Sequence, residues 1–113
     1  MPDVEHCGAI KRISDAVSQR CGEHLVDARL RYGSAQKAFN LYSKFLWRLG
    51  EVATLPHCPV DSIVLAEAKI EAAWTRSDSE DEYVGWINRV KIAAKPIGLA
   101  EWEYLVWLRG AVK

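Results

Sequence analysis

The chain has 113 residues, with 15 Lys and Arg balanced by 15 Asp and Glu, and half of it is hydrophobic. That balance excludes a disordered tail and a strongly basic nucleic-acid condenser. No apolar run reaches the roughly 18 residues needed to cross a bilayer, and the mixed-charge first twenty residues carry no apolar signal core.

Apolar periodicity predicts helices throughout. The first covers about residues 4–21, where Ile10, Ile13, Val17 and Cys21 recur at spacings of three and four. A second segment, about 23–32, carries Leu25, Val26 and Leu30. Gly33 followed by Ser34 reads as a stop and an N-cap. The third helix spans about 35–49 and ends at Gly50. A loop, Glu51–Cys58, leads to Pro59, which suits the first turn of a fourth helix ending near Trp74. Two overlapping S-x-x-E capping boxes, Ser77…Glu80 and Ser79…Glu82, open a fifth helix. Its stripe is Tyr83, Trp86, Ile87, Val90 and Ala94, and Pro96 and Gly98 end it. The last helix, Leu99 to about Arg109, is apolar nearly all round.

These elements add up to an all-α, compact bundle of five or six short helices. Area scaling gives a folded chain of this mass roughly 6,200 Å² of surface, enough burial for one core and too little for two. Residues 1–113 are therefore expected to form a single domain. Three cysteines (Cys7, Cys21, Cys58) do not make a disulfide framework and fit a reducing, cytoplasmic setting.

The third helix holds the first candidate site. At 100° per residue, Ala35, Ala38, Phe39, Tyr42, Phe45, Leu46 and Leu49 share one face and read as its core stripe. The opposite face carries Gln36, Lys37, Asn40, Lys44 and Arg48, with Trp47 among them. A large aromatic out of phase with the core is covered by another helix or serves as an anchor for a partner. Lys37, Asn40, Lys44, Trp47 and Arg48 are thus the candidate partner-binding residues. Residues 28–50 hold five basic residues and no acidic one, so a nucleic-acid site over 29–48 is the alternative.

On the fourth helix, Glu67 and Glu71 lie one turn apart. They read as ion-pair partners for Lys37, Lys44 or Arg48, or else as a carboxylate pair for metal binding or acid–base work. Each histidine lies near a cysteine: His6 beside Cys7, His24 three after Cys21, His57 beside Cys58. A zinc site would need these pairs to converge, and no C-x2-C knuckle supports one. Cys58, just before Pro59, would gain nucleophilicity if it stood at a helix N-terminus. The last helix spreads Trp102, Tyr104, Trp107 and Leu108 around its circumference. One buried face cannot use them all, so they are candidates for self-association. Glu101 and Glu103 are expected at its exposed start.

There is no Walker loop, dinucleotide fingerprint, nucleophile elbow or H-E-x-x-H. The expected function is therefore a small cytoplasmic, non-enzymatic helical protein of adaptor or inhibitor type. It would bind a protein partner through the basic, aromatic helix face, with no cofactor and no membrane. Nucleic-acid binding and a small thiol- or metal-dependent enzyme are the alternatives, and a homodimer fits the last helix. The neutral net charge hides a cancellation: residues 28–50 are basic, while residues 61–82 hold seven acidic and two basic residues.

Overall fold

The computed structural model describes residues 3–111. Helix α1, Asp3–Cys21, starts with Asp3 and Glu5 at the positive end of its dipole and buries His6, Cys7, Ile10 and Ser14. The expected second helix does not form. Instead the chain makes two short 3-10 turns, Gly22–His24 and Val26–Ala28, with Asp27 and Ala28 in the left-handed region at φ 55° and 56°. The cause lies in α1. The Ser14 hydroxyl donates to the Leu30 carbonyl (2.5 Å), and the Leu30 N–H donates to Ser18 Oγ (2.9 Å). Two serines one turn apart thus hold Leu30 against α1, with Arg29 before it extended.

Helix α2, Tyr32–Arg48, starts earlier than the sequence suggests. Gly33 is not a stop but lies inside the first turn. A Cβ there would collide with the Trp74 carbonyl, so glycine is needed for close approach. Two first-turn donors find distant acceptors: the Tyr32 N–H meets Asp78 Oδ1 and the Gly33 N–H meets the Ser77 carbonyl, both at 2.9 Å. The C-terminus ends as expected at Gly50, whose φ is 80°. The Gly50 N–H donates to Trp47 O and the Glu51 N–H to Leu46 O, which is the Schellman pattern.

Helix α3 is far shorter than predicted, Ser62–Glu67. Pro59 is not its first turn, because the Gln36 amide clamps Val60 on both sides. Its Nε2 donates to Val60 O (2.5 Å) and its Oε1 accepts from Val60 N (3.1 Å). Asp61 then caps α3 by accepting from the Val64 N–H at 3.0 Å. A second Schellman turn ends α3, built on Lys69 at φ 59°, with buried Leu65 and Ile70 making its apolar contact. Residues 70–79 follow as an irregular stretch containing one 3-10 turn, Trp74–Arg76.

Helix α4, Glu80–Ala94, is capped by Ser79, whose Oγ accepts from the Glu82 N–H at 3.1 Å, but the box is not closed: the Glu82 carboxylate accepts from the Ser77 hydroxyl instead. Its predicted stripe (Tyr83, Trp86, Ile87, Val90 and Ala94) is buried. Helix α5 is Leu99–Ala111. Helix α1 packs on α2, α5 lies against α3 and α4, and the Trp74–Arg76 turn rests on α2. One apolar cluster joins Ile10, Val60, Tyr83, Ile87 and Val90. The described chain is all-α, with five helices and no strand.

Candidate functional site

Helix α2 is rotated away from its apolar pattern, so that part of its polar face turns inward. Gln36, Asn40 and Lys44, at i, i+4 and i+8, are buried. Of the expected core stripe, Ala35 is buried and Phe39 packs against the core, but Tyr42, Phe45 and Leu49 face solvent, 62 %, 57 % and 76 % exposed. The inward polar face is tolerable because each group on it finds a partner, and no buried side-chain polar atom is left unpaired among the described residues.

The partners come from four directions. Asn40 Oδ1 accepts from His6 Nε2 of α1 at 2.6 Å, and Asn40 Nδ2 donates to Gln36 Oε1 and to the Tyr83 hydroxyl, both at 3.0 Å. The Tyr83 O–H donates to His57 Nδ1 at 2.5 Å, which leaves His57 Nε2–H to donate to Asp3 Oδ1 at 3.2 Å. These directions place a proton on Nε2 of both histidines and require His57, whose Nδ1 accepts, to be neutral. Burial pushes both imidazoles below their ordinary range. His57 falls to about 4, helped by His6, whose ring centre is 4.4 Å away. The order Asp3, His57, Tyr83 resembles a catalytic relay, but Tyr83 is fully buried and has no face for a substrate. It ties α1, α2, α4 and the 57–58 loop together.

Lys44 meets Glu103 of α5, its ammonium 2.5 and 3.1 Å from the two carboxylate oxygens. Both side chains are buried, so Glu103 does not sit at an exposed helix start. Lys37 pairs with Asp61 at 2.5 Å. Neither lysine reaches Glu67 or Glu71: Glu67 pairs with Arg109 at 2.7 Å, both glutamates are exposed, and α3 stops before Glu71. Asn40 and Lys44 are therefore internal groups and offer no surface to a partner. Trp47 is half-buried against Tyr104, ring centres 6.4 Å apart, and the Arg48 guanidinium lies 4.4 Å over the Tyr104 ring. Another helix covers Trp47. Its position beside Gln36 and Asn40 was the one sign in the sequence that this side faces inward.

Four of the five basic residues in 28–50 are paired, Lys44 in the interior, Lys37 at its edge and the two arginines at the surface. Arg29 pairs with Asp15 and Asp78, Arg31 with Asp27, Lys37 with Asp61 and Lys44 with Glu103. Arg48 alone of the five has no carboxylate partner among the described residues.

Apart from Arg48, the exposed face of α2 is apolar. Between α2 and α5 lies a cavity of about 290 Å³ lined by Leu41, Lys44, Phe45, Arg48, Tyr104 and Trp107. It joins the α2 stripe to the outer face of α5, where Trp107 is 48 % exposed and Leu105 and Leu108 are also open to solvent. Of the last-helix candidates, Trp107 and Leu108 belong to this surface. Tyr104 lines its groove, and Trp102 packs partly against the core. On the other edge of the stripe, Phe39, Ser43 and Leu46 border a cavity of about 450 Å³ under the loop Val52–Pro56.

The histidine–cysteine pairs do not converge. His6 and His57 meet, but His24 is exposed beside Glu23. No group of three His, Cys, Asp or Glu could hold a metal ion among the described residues. Cys58 lies four residues before α3, not at its N-terminus, and burial pushes its thiol up. No described helix is long and apolar enough to cross a membrane. Comparison with protein-family models, curated proteins and solved structures finds no match.

Proposed function

We propose that this chain is a cytoplasmic, non-enzymatic protein-interaction module of adaptor or inhibitor type, and that its docking surface is the apolar stripe of α2 with the adjoining face of α5. The observation that carries this reading is the rotation of α2. Tyr42, Phe45 and Leu49 stand more than half exposed on a helix whose Gln36, Asn40 and Lys44 are buried. Contiguous apolar surface of this kind is uncommon on a monomer and typical of protein interfaces. The pairing of four of the five basic residues in 28–50 leaves little free charge for a phosphate backbone. His6, His57, Cys7 and Cys58, which an enzyme would need in contact with substrate, are buried, and His24 lines neither cavity described above.

The test is affinity capture from the producing organism with two baits, the native chain and Phe45→Asp/Leu49→Asp, both first shown to be equally helical. Proteins bound by the native bait and lost on the variant support the reading. Identical captures on the two baits contradict it.

A further inference from the structure

We propose that the first two turns of α1, residues 3–9, are a latch that opens in acid, released when the His6–His57 pair takes up protons while the rest of the fold stays closed. The latch is independent of the docking surface proposed above.

Polar contacts fasten these two turns almost entirely. Val4 is 84 % exposed, Asp3 and Glu5 are open to solvent, and Cys7 is the one buried apolar side chain of residues 3–9. The Asp3 carboxylate meets Lys91 Nζ at 3.0 Å and His57 Nε2 at 3.2 Å. His6 Nε2 donates to Asn40 Oδ1, and the Cys7 carbonyl accepts from the Tyr32 hydroxyl at 3.1 Å. Further along α1 the anchorage changes character. Ile10 is fully buried, Ser14 and Ser18 bond the backbone of Leu30, and Asp15 pairs with Arg29. Chain ends with few buried apolar contacts open locally at lower cost than the body of a fold. Ile10 therefore marks where the opening stops.

Histidine chemistry supplies the trigger. His6 on α1 and His57 on the loop before Pro59 are both buried, and each ring covers the other. Among the described residues, the charged or titratable groups facing them are Asp3 from α1 and Tyr83 and Lys91 from α4. Helix α2 presents Asn40 and Phe39, which do not titrate. One carboxylate, already shared with Lys91, thus faces two imidazoles. A proton added at His57 Nδ1 also sets donor against donor. It would point at the Tyr83 oxygen, which already accepts from Asn40 Nδ2, and the buried Tyr83 O–H would lose its acceptor. Lifting residues 3–9 takes His6 and Asp3 off His57 and gives both rings water. His6 also packs on Phe39, ring centres 4.9 Å apart, and Phe39 lines the cavity under Val52–Pro56, so opening strips one cavity wall of its support.

The open form binds more protons than the closed one, so acid favours it. With His57 at about 4 when covered and about 6.5 when freed, the open fraction rises about twentyfold between pH 7 and pH 5 from this ring alone. His6, also held low by burial, adds in the same direction.

The chain's own cysteines read the latch: Cys7 lies in it, Cys21 is exposed at the other end of α1, and Cys58 is buried on the side of Asp61 and Glu103. The full chain is treated at pH 7 and at pH 5 with a dipyridyl disulfide, which modifies thiols in acid, and each site is followed by mass spectrometry. Dividing by the Cys21 rate cancels the reagent's own pH dependence. The relative rate of Cys7 is expected to rise about tenfold or more at pH 5, with Cys58 unchanged. His57→Gln keeps a group that accepts from Tyr83 and donates to Asp3 but takes no proton, and should hold the rise below about threefold. His6→Gln is the second variant, used if the first does not fold, and should also reduce the rise. A relative rate of Cys7 that ignores pH, a Cys58 that opens in step with Cys7, or an undiminished rise in the folded variant each overturns the proposal.

Discussion

Two buried pairs carry the polar interior at the level of single residues. Lys44 and Glu103 are both nearly inaccessible and within 2.5 Å of each other. Lys44→Ala leaves a carboxylate buried without its cation and should cost about 3–5 kcal/mol in urea denaturation, whereas Lys44→Met/Glu103→Leu should recover most of that loss. The second pair is His6 and His57, faced by Asp3 from α1, Asn40 from α2 and Tyr83 and Lys91 from α4. Free imidazoles titrate near 6.5, but burial holds His57 down to about 4 and lowers His6 as well. Between those values the unfolded chain binds more protons than the folded one, so stability falls as pH falls through this window. For His57 the loss is on the order of 2–3 kcal/mol. Asp3 acts outside the window: the Lys91 hydrogen bond, opposed by desolvation and aided by His57, lowers its carboxyl, so its contribution disappears only at more acidic pH. Denaturation at pH 7, 6 and 5 should show the decline, and His57→Gln should flatten it. A native profile level from 7 to 5 would contradict the neutral pair. Thiol alkylation at pH 7 makes a further check: exposed Cys21 should react fast, and buried Cys7 and Cys58 only on unfolding.

Individual helices depend on contacts of different range, and this decides what could be read in advance. The Ser79 N-cap and the Gly50 terminus are local, and α4 and the end of α2 follow from the sequence. The stripe of α4 is equally local and lies where its period puts it. Errors arise where a distant residue overrides a local signal. Gln36 clamps Val60 and displaces the start of α3, Ser14 and Ser18 hold Leu30 against α1, and Asp78 caps α2 from across the fold. The candidate site was half legible. The composition of α2 marked it, but which face turned inward depended on His6, Tyr83 and Glu103 on other elements. Two substitutions test the element-level account by thermal or urea denaturation. Gly33→Ala should destabilise by at least about 2 kcal/mol, since the new methyl group meets the Trp74 carbonyl rather than a movable side chain. Lys69→Gly should stabilise by about 0.5–1 kcal/mol by relieving the left-handed backbone at φ 59°. Opposite signs would mean that these two turns are built differently.

On the scale of the whole molecule, the cancelling charges prove to be partly internal. Of the basic stretch 28–50, Lys37 and Arg29 reach across to Asp61 and Asp78 of the acidic stretch, and Lys44 reaches Glu103. Electrostatics thereby fastens α2 into the bundle and leaves its apolar stripe as the open surface. The central claim is that α2 stands polar side in. The most direct measurement is the unfolding free energy of Phe45→Asp/Leu49→Asp, taken at a protein concentration low enough to keep copies apart. Exposed positions predict a change within about 1 kcal/mol of the native chain. A loss of several kcal/mol, as expected for charges placed in a core, would show that the stripe is buried within the chain and would contradict the account.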